Sequence, residues 1–146
     1  MDYVFEHGSG SKDDPYQVWD ADDLNGVRDH AHHGRYFIQM ADIDLSGYSN
    51  WEPIGTPGSR FSASYNGNGF TISNLTIYKP EDYKVGHFGY LFLGYLENIT
   101  LINIDITAAG DAGGLAGICG DGSSIVNCSV IGGSIVVNVG GGGLVS

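Results

Sequence analysis

Between residues 71 and 130, apolar and polar positions alternate in short runs: TISNLTI (71–77), YLENITL (95–101) and SIVNCSV (124–130). Each run reads apolar, any residue, Asn, apolar, Ser/Thr, apolar. Period-two alternation in Ile, Val, Thr and Leu predicts strands. It puts Ile72, Asn74 and Thr76 on one face, with Leu75 and Ile77 on the other. Turn residues punctuate the runs at NGNG (66–69), AAGDAGG (108–114), CGDG (119–122) and IGG (131–133). Helical periodicity is absent after residue 35.

The runs repeat. Their asparagines, Asn74, Asn98 and Asn127, are 24 and 29 residues apart. A second element, GHFG (86–89), GLAG (114–117) and GLVS (143–146), recurs at steps of 28 and 29. Strands returning at this period without crossover helices must stack coil upon coil, which predicts an all-β parallel solenoid. Of 24 glycines, twelve fall in residues 110–146, where corners need positive φ or close backbone approach.

The N-terminal third differs. It predicts a short strand at 16–19, a helix near 21–33 and a strand near 35–41. Asp20 caps the helix, Asp22 and Asp23 suit its first turn, and Gly34 stops it. Leu24, Val27 and Ala31 form its apolar stripe. Such a helix closes the open end of the stack, which otherwise exposes strand edges. The expected organisation is one domain, 1–146, with a cap and first strands over 1–55 and β-helix repeats over 56–146.

Charge removes several functions. Six Lys and Arg against 17 Asp and Glu give a net charge of −11. Nucleic acid would meet net repulsion, and an anionic membrane surface is disfavoured for the same reason. No run approaches the roughly 18–20 apolar residues of a spanning helix, so membrane insertion is not expected. The start, MDYVFEHGSG, lacks the regions of a secretory signal and reads as the beginning of an excised segment.

The Gly-Leu-hydrophobic-Gly element resembles the GLUG motif of bacterial surface and secreted repeat proteins. FSASYNGNGFTISNLTI, VGHFGYLFLGYLENITLINIDI and GGLAGICGDGSSIVNCSVIGG carry the likeness. The opening DPYQVWDADDL, YFIQMADIDL and WEPIG resembles the segment found ahead of such repeats. The likeness runs from about Gly8 onward, with His87 in place of the first Leu and Ser146 in place of the last Gly. It implies a right-handed parallel β-helix at a cell surface, adhesin-like, with no shared catalytic residue.

Candidate chemistry is sparse. The triplets at Asn74, Asn98 and Asn127 match glycosylation acceptors, but a common repeat register predicts a stacked amide ladder instead. Asp42, Asp44, Ser46 and Gly47 fit the start of a calcium loop, yet Glu52 falls at position eleven and no helix pair flanks it. A solvated turn over a packed Trp51 is the simpler reading. Asp29, His30, His32 and His33 crowd the helix end, where Asp29 and His33 could grip a transition metal or merely face water. Cys119 and Cys128 are spaced for a small bridge, though two small buried apolar side chains fit better.

Catalysis needs paired groups. After residue 84 there is no Lys or Arg, and Glu97, Asp105, Asp111 and Asp121 scatter across repeat positions. The aromatics Tyr78, Tyr83, Tyr90, Phe92 and Tyr95 could offer a sugar platform or fill the coil. The expectation is a non-catalytic extracellular or cell-surface module for display or adhesion, with no cofactor and with a surface protein or glycan as partner. The alternative is a non-catalytic part of a polysaccharide-active β-helix enzyme. Either a frayed last coil, beyond about Val137, or self-association through the C-terminal coil is also expected, because the chain stops inside GLVS.

Overall fold

Strand Tyr16–Val18 (β1) opens the stack, and the helix Ala21–Gly26 (α1) with a 3₁₀ turn, Val27–His30, follows it. The computed structural model describes residues 2–139, with side chains to Val137. Four turns of a β-solenoid follow from this start. The first coil carries β2 (Tyr36–Gln39) and β3 (Ile43–Asp44). The second carries β4 (Ser64–Asn66), β5 (Thr71–Ser73), β6 (Thr76–Lys79) and β7 (Phe88–Leu91). The third carries β8 (Tyr95–Glu97), β9 (Thr100–Gly110) and β10 (Ala116–Cys119). The fourth has β11 (Ser124–Val126) and β12 (Ser129–Val139).

Like strands of successive coils pair in parallel and make three faces. The first face runs β1-β2-β4-β8-β11, the second β3-β5-β9-β12 with β6 also on β9, and the third β7-β10. Thr71 lies opposite Thr100, and Thr100 opposite Ser129, so this coil is 29 residues long. The first coil contributes to the third face through single bridges, Ile54 to Phe88 and Phe61 to Leu91. Inward side chains form one core, in which Trp51, Tyr65, Phe37, Phe61 and Phe88 are fully buried. Apolar burial at this density is the main stabilising term.

Among the described residues, two polar side chains, Gln39 and His87, lie in that core. Gln39 is satisfied: its amide donates to the Ala41 and Thr71 carbonyls and accepts from the Tyr65 hydroxyl at 3.0 Å. His87 is not: neither ring nitrogen has a partner, and the ring stacks on Trp51 at 5.1 Å.

Three expectations need correction. The helix ends at Gly26 and its 3₁₀ extension at His30, short of the expected 33 and before Gly34. The Ala31 carbonyl accepts instead from Ser62 N–H of the next coil at 2.8 Å, which draws the chain into the stack. The expected Asp20 cap is present, accepting from Asp23 N–H at 2.8 Å, and Leu24 and Val27 are buried.

The strict alternation of 71–77 also fails. Ile72, Leu75 and Ile77 all point inward, because Asn74 is left-handed at φ 60° and turns the strand there. Asparagine tolerates that region far better than most residues.

Finally, Asn74 does not share a ladder with Asn98. Asn98 donates to Asn66 Oδ1 at 3.1 Å and accepts from Asn127 at 2.7 Å, at the corner between the first and second faces. Asn74 donates to Asp44 at 2.9 Å and accepts from Asn103 at 3.0 Å, at a bend within the second face. Two ladders replace the expected one. The expectations for GLVS (143–146) and for a frayed or self-associating chain end lie outside the described residues.

Candidate binding groove

The alternation that buries Phe37, Tyr65 and Leu96 turns their strand neighbours outward. Along the first face, Tyr36 lies opposite Ser64, Ser64 opposite Tyr95, and Tyr95 opposite Ser124. Two tyrosines therefore flank a serine on three adjacent strands. They bound a groove of ≈ 560 Å³, with Asn66, Glu97 and Lys12 among its polar lining. That size suits a small ligand. The Tyr95 hydroxyl donates to Glu97 Oε2 at 3.2 Å, and this contact raises the phenol pKa. Because β2, β4 and β8 are hydrogen-bonded on both edges, the groove floor is rigid and has no free strand edge.

Only Tyr95 of the expected aromatic set reaches this groove. Tyr78 is exposed on the second face, and Tyr83 is exposed beside a second depression lined by Glu52, Lys79 and Lys84. Tyr90 and Phe92 are half-buried on the third side, where the Arg60 guanidinium sits 4.0 Å above the Phe92 ring and 6.0 Å from that of Tyr90. Clustering in sequence did not mean clustering in space. Tyr36 was missed; its spacing from Ser64 and Tyr95, at about one and two coils, was the available signal.

The remaining candidates are separately engaged. Asp42 accepts from Thr71 N–H, and Asp44 from Asn74 and Ser46 N–H; these bonds, Asn74's first, hold the Asp44 carboxyl below its usual range. Glu52 pairs with Lys79 at 2.7 Å. Trp51 is buried, as the turn reading required. Asp29 accepts from Tyr3 N–H, His30 Nε2 lies 2.7 Å from the Tyr3 carbonyl, and Arg35 donates to His32. His33 is exposed. Among the described residues no three His, Cys, Asp or Glu side chains gather as a metal site.

Cys119 and Cys128 are both free thiols, and neither is fully buried as expected. Cys119 closes β10 on an outward position, and Cys128 follows the left-handed corner at Asn127. Partial burial raises both thiol pKa values, so neither is a ready thiolate. Glu97 lies on the first face, Asp105 on the second, and Asp111 and Asp121 in connecting turns. No helix among the described residues is long and apolar enough to cross a membrane.

No protein-family model matches the chain. It is 33% identical over 130 residues to a "Putative Gly-rich membrane protein" of Evansella cellulosilytica, covering 85% of this chain and 15% of that protein. It is 34% identical over 121 residues to the "Halomucin" of Haloquadratum walsbyi, covering 75% of this chain and 1% of that protein. The chain thus spans a small part of each relative. In structure it resembles a "putative immunoglobulin A1 protease" from Bacteroides ovatus, with a TM-score of 0.68 and 24% identity. That match covers 97% of this chain and 48% of the other, and it carries the fold alone: the β-solenoid is shared across nearly the whole chain.

Proposed function

We propose that the chain is a non-catalytic, extracellular β-solenoid module of the GLUG type, which holds a partner at a bacterial surface for display or adhesion. The carrying observation is the groove on the first face. It has aromatic walls on rigid strands, and Glu97 is its one carboxylate. Glycoside hydrolysis by its common routes uses two carboxylates across the substrate. A groove with one acid, bonded to a neighbouring tyrosine, holds rather than cleaves. The GLUG-like GHFG and GLAG elements and the membrane-protein name of the Evansella relative support a surface setting.

The test uses beads carrying the chain, flowed over surfaces coated with mucin, peptidoglycan or cellulose. Retention above bare beads on at least one coating, with no soluble fragments released, is the expected result. Absence of retention on all three counts against surface engagement, and released fragments overturn the non-catalytic reading.

A further inference from the structure

The groove's register narrows what it can hold. Adjacent strands lie about 4.7–4.9 Å apart, so the Cα positions of Tyr36 and Tyr95, two strands apart, are separated by about 9.5 Å, and side chains rising side by side from them keep about that spacing. Between them the sheet offers only the serine side chain of Ser64. An apolar contact needs about 3.5–4.0 Å on each side, which leaves about 2 Å for the body of a guest. A single ring, whose atoms lie within that depth, fits between the two tyrosines.

The lining chemistry points the same way. Asn66 and Ser64 are neutral hydrogen-bonding groups, and Glu97 and Lys12 add one charge of each sign. A polyanion finds a single cation in a strongly acidic chain. A peptide binding as an added strand needs a free sheet edge, and the strands beneath are bonded on both sides.

Resting on the reading of this face as a non-catalytic binding site, we infer that the Tyr36–Ser64–Tyr95 slot holds one pyranose ring of a gluco-configured, β-linked glycan between its two tyrosines. In such a ring every substituent is equatorial, so both faces present C–H groups and the hydroxyls form the rim. The two faces pack on the tyrosines, and the rim meets Asn66, Glu97 and Lys12. A ring with an axial hydroxyl, as in mannose, spoils one face and leaves that hydroxyl against an aromatic wall, where it has no partner.

Isothermal titration with cellohexaose, chitohexaose and mannohexaose tests the slot. At least one of the first two should bind at least tenfold more tightly than mannohexaose. Tyr36→Ala and Tyr95→Ala should each weaken that binding at least tenfold. Ser64→Tyr fills the slot with a third outward ring, so it should abolish binding while the urea midpoint holds or rises, since cross-strand aromatic pairs stabilise sheets. No saturable binding of either gluco-configured hexamer overturns the inference, as does equal binding of mannohexaose or binding that survives Ser64→Tyr. Bead retention without saturable binding of either gluco-configured hexamer removes the slot and leaves the adhesion reading standing. Binding in the slot followed by hexamer cleavage does the reverse.

Discussion

Asn127 donates its side-chain amide to Asn98 Oδ1 at 2.7 Å, across 29 residues and from one coil to the next. Both residues are left-handed, with φ of 53° and 56°. One residue type thus meets two demands, because asparagine tolerates the corner backbone and its amide spans the gap between coils. The second ladder ends by keeping the first demand alone. The residue one coil after Asn103 is Gly132, with φ 74° and no side chain to continue the ladder.

Replacement of Asn98 should separate the two contributions. Asn98→Gly keeps the backbone and loses the amide bonds to Asn66 and Asn127, a cost of about 1–2 kcal/mol. Asn98→Ala adds left-handed strain, about 1–2 kcal/mol more. Urea denaturation should therefore rank wild type above Gly and Gly above Ala. Equal midpoints for Gly and Ala would mean that the corner backbone relaxes when the ladder is broken.

The solenoid, a coil of 28–29 residues and the presence of an N-terminal helix were legible, because repeat spacing and β-branched alternation both act along the chain. Assignment of each asparagine to a corner was not. TISNLTI bends the second face at Asn74, whereas YLENITL turns the first face into the second at Asn98. The two corners need the same left-handed residue beside the same inward apolar neighbours, so their local patterns coincide. The groove was hidden for a related reason. Tyr36, Ser64 and Tyr95 become neighbours only once the register between coils is known.

His87 should make stability depend on pH. Burial, assisted by the charge of Arg28, pushes its pKa down to about 3, against an ordinary value of about 6.5 in the unfolded chain. The fold accepts only the neutral ring. Its stabilising contribution is therefore fully present above about pH 6.5 and is lost as pH falls from there toward 3, at about 1.4 kcal/mol per pH unit within that window. His87→Leu, which restores the usual residue of the repeat element, should flatten this dependence and raise the melting temperature at pH 5. Parallel melting curves for both proteins from pH 8 to pH 4 would assign the acid sensitivity elsewhere.

The capping helix should matter through its buried stripe more than through its cap. Leu24 is fully buried in the common core, so Leu24→Ala should cost about 2–4 kcal/mol. Asp20→Ala removes the bond to Asp23 N–H and should cost about 1 kcal/mol. Chemical denaturation of both variants checks the order. A larger loss for Asp20→Ala would mean that α1 is held by its own terminus and not by the coil beneath it.

Two glycines of non-positive φ contrast in steric demand. At Gly67, a Cβ would lie 2.2 Å from the Asn98 carbonyl oxygen and 2.8 Å from the Ile99 Cα, both backbone atoms of the next coil. They cannot rotate aside, so the methyl must push two coils apart at the corner where Asn66 meets Asn98. The Gly67 N–H also donates to the Glu97 carbonyl at 2.8 Å, and that bond would stretch with the separation. At Gly47, nothing lies within 4 Å of the same position and φ is not positive. Gly67→Ala should therefore destabilise the solenoid by about 2 kcal/mol or more, the range of overpacked sites. Gly47→Ala should be neutral or stabilising by about 0.4–1 kcal/mol, because it removes freedom only from the unfolded chain. Amide exchange locates the damage: in Gly67→Ala, protection should fall first at Tyr95 and Gly69, whose N–H groups donate across that seam to the Ala63 and Asn98 carbonyls. Unchanged protection there, with a normal midpoint, would show that the coils absorb a methyl group at this corner without separating.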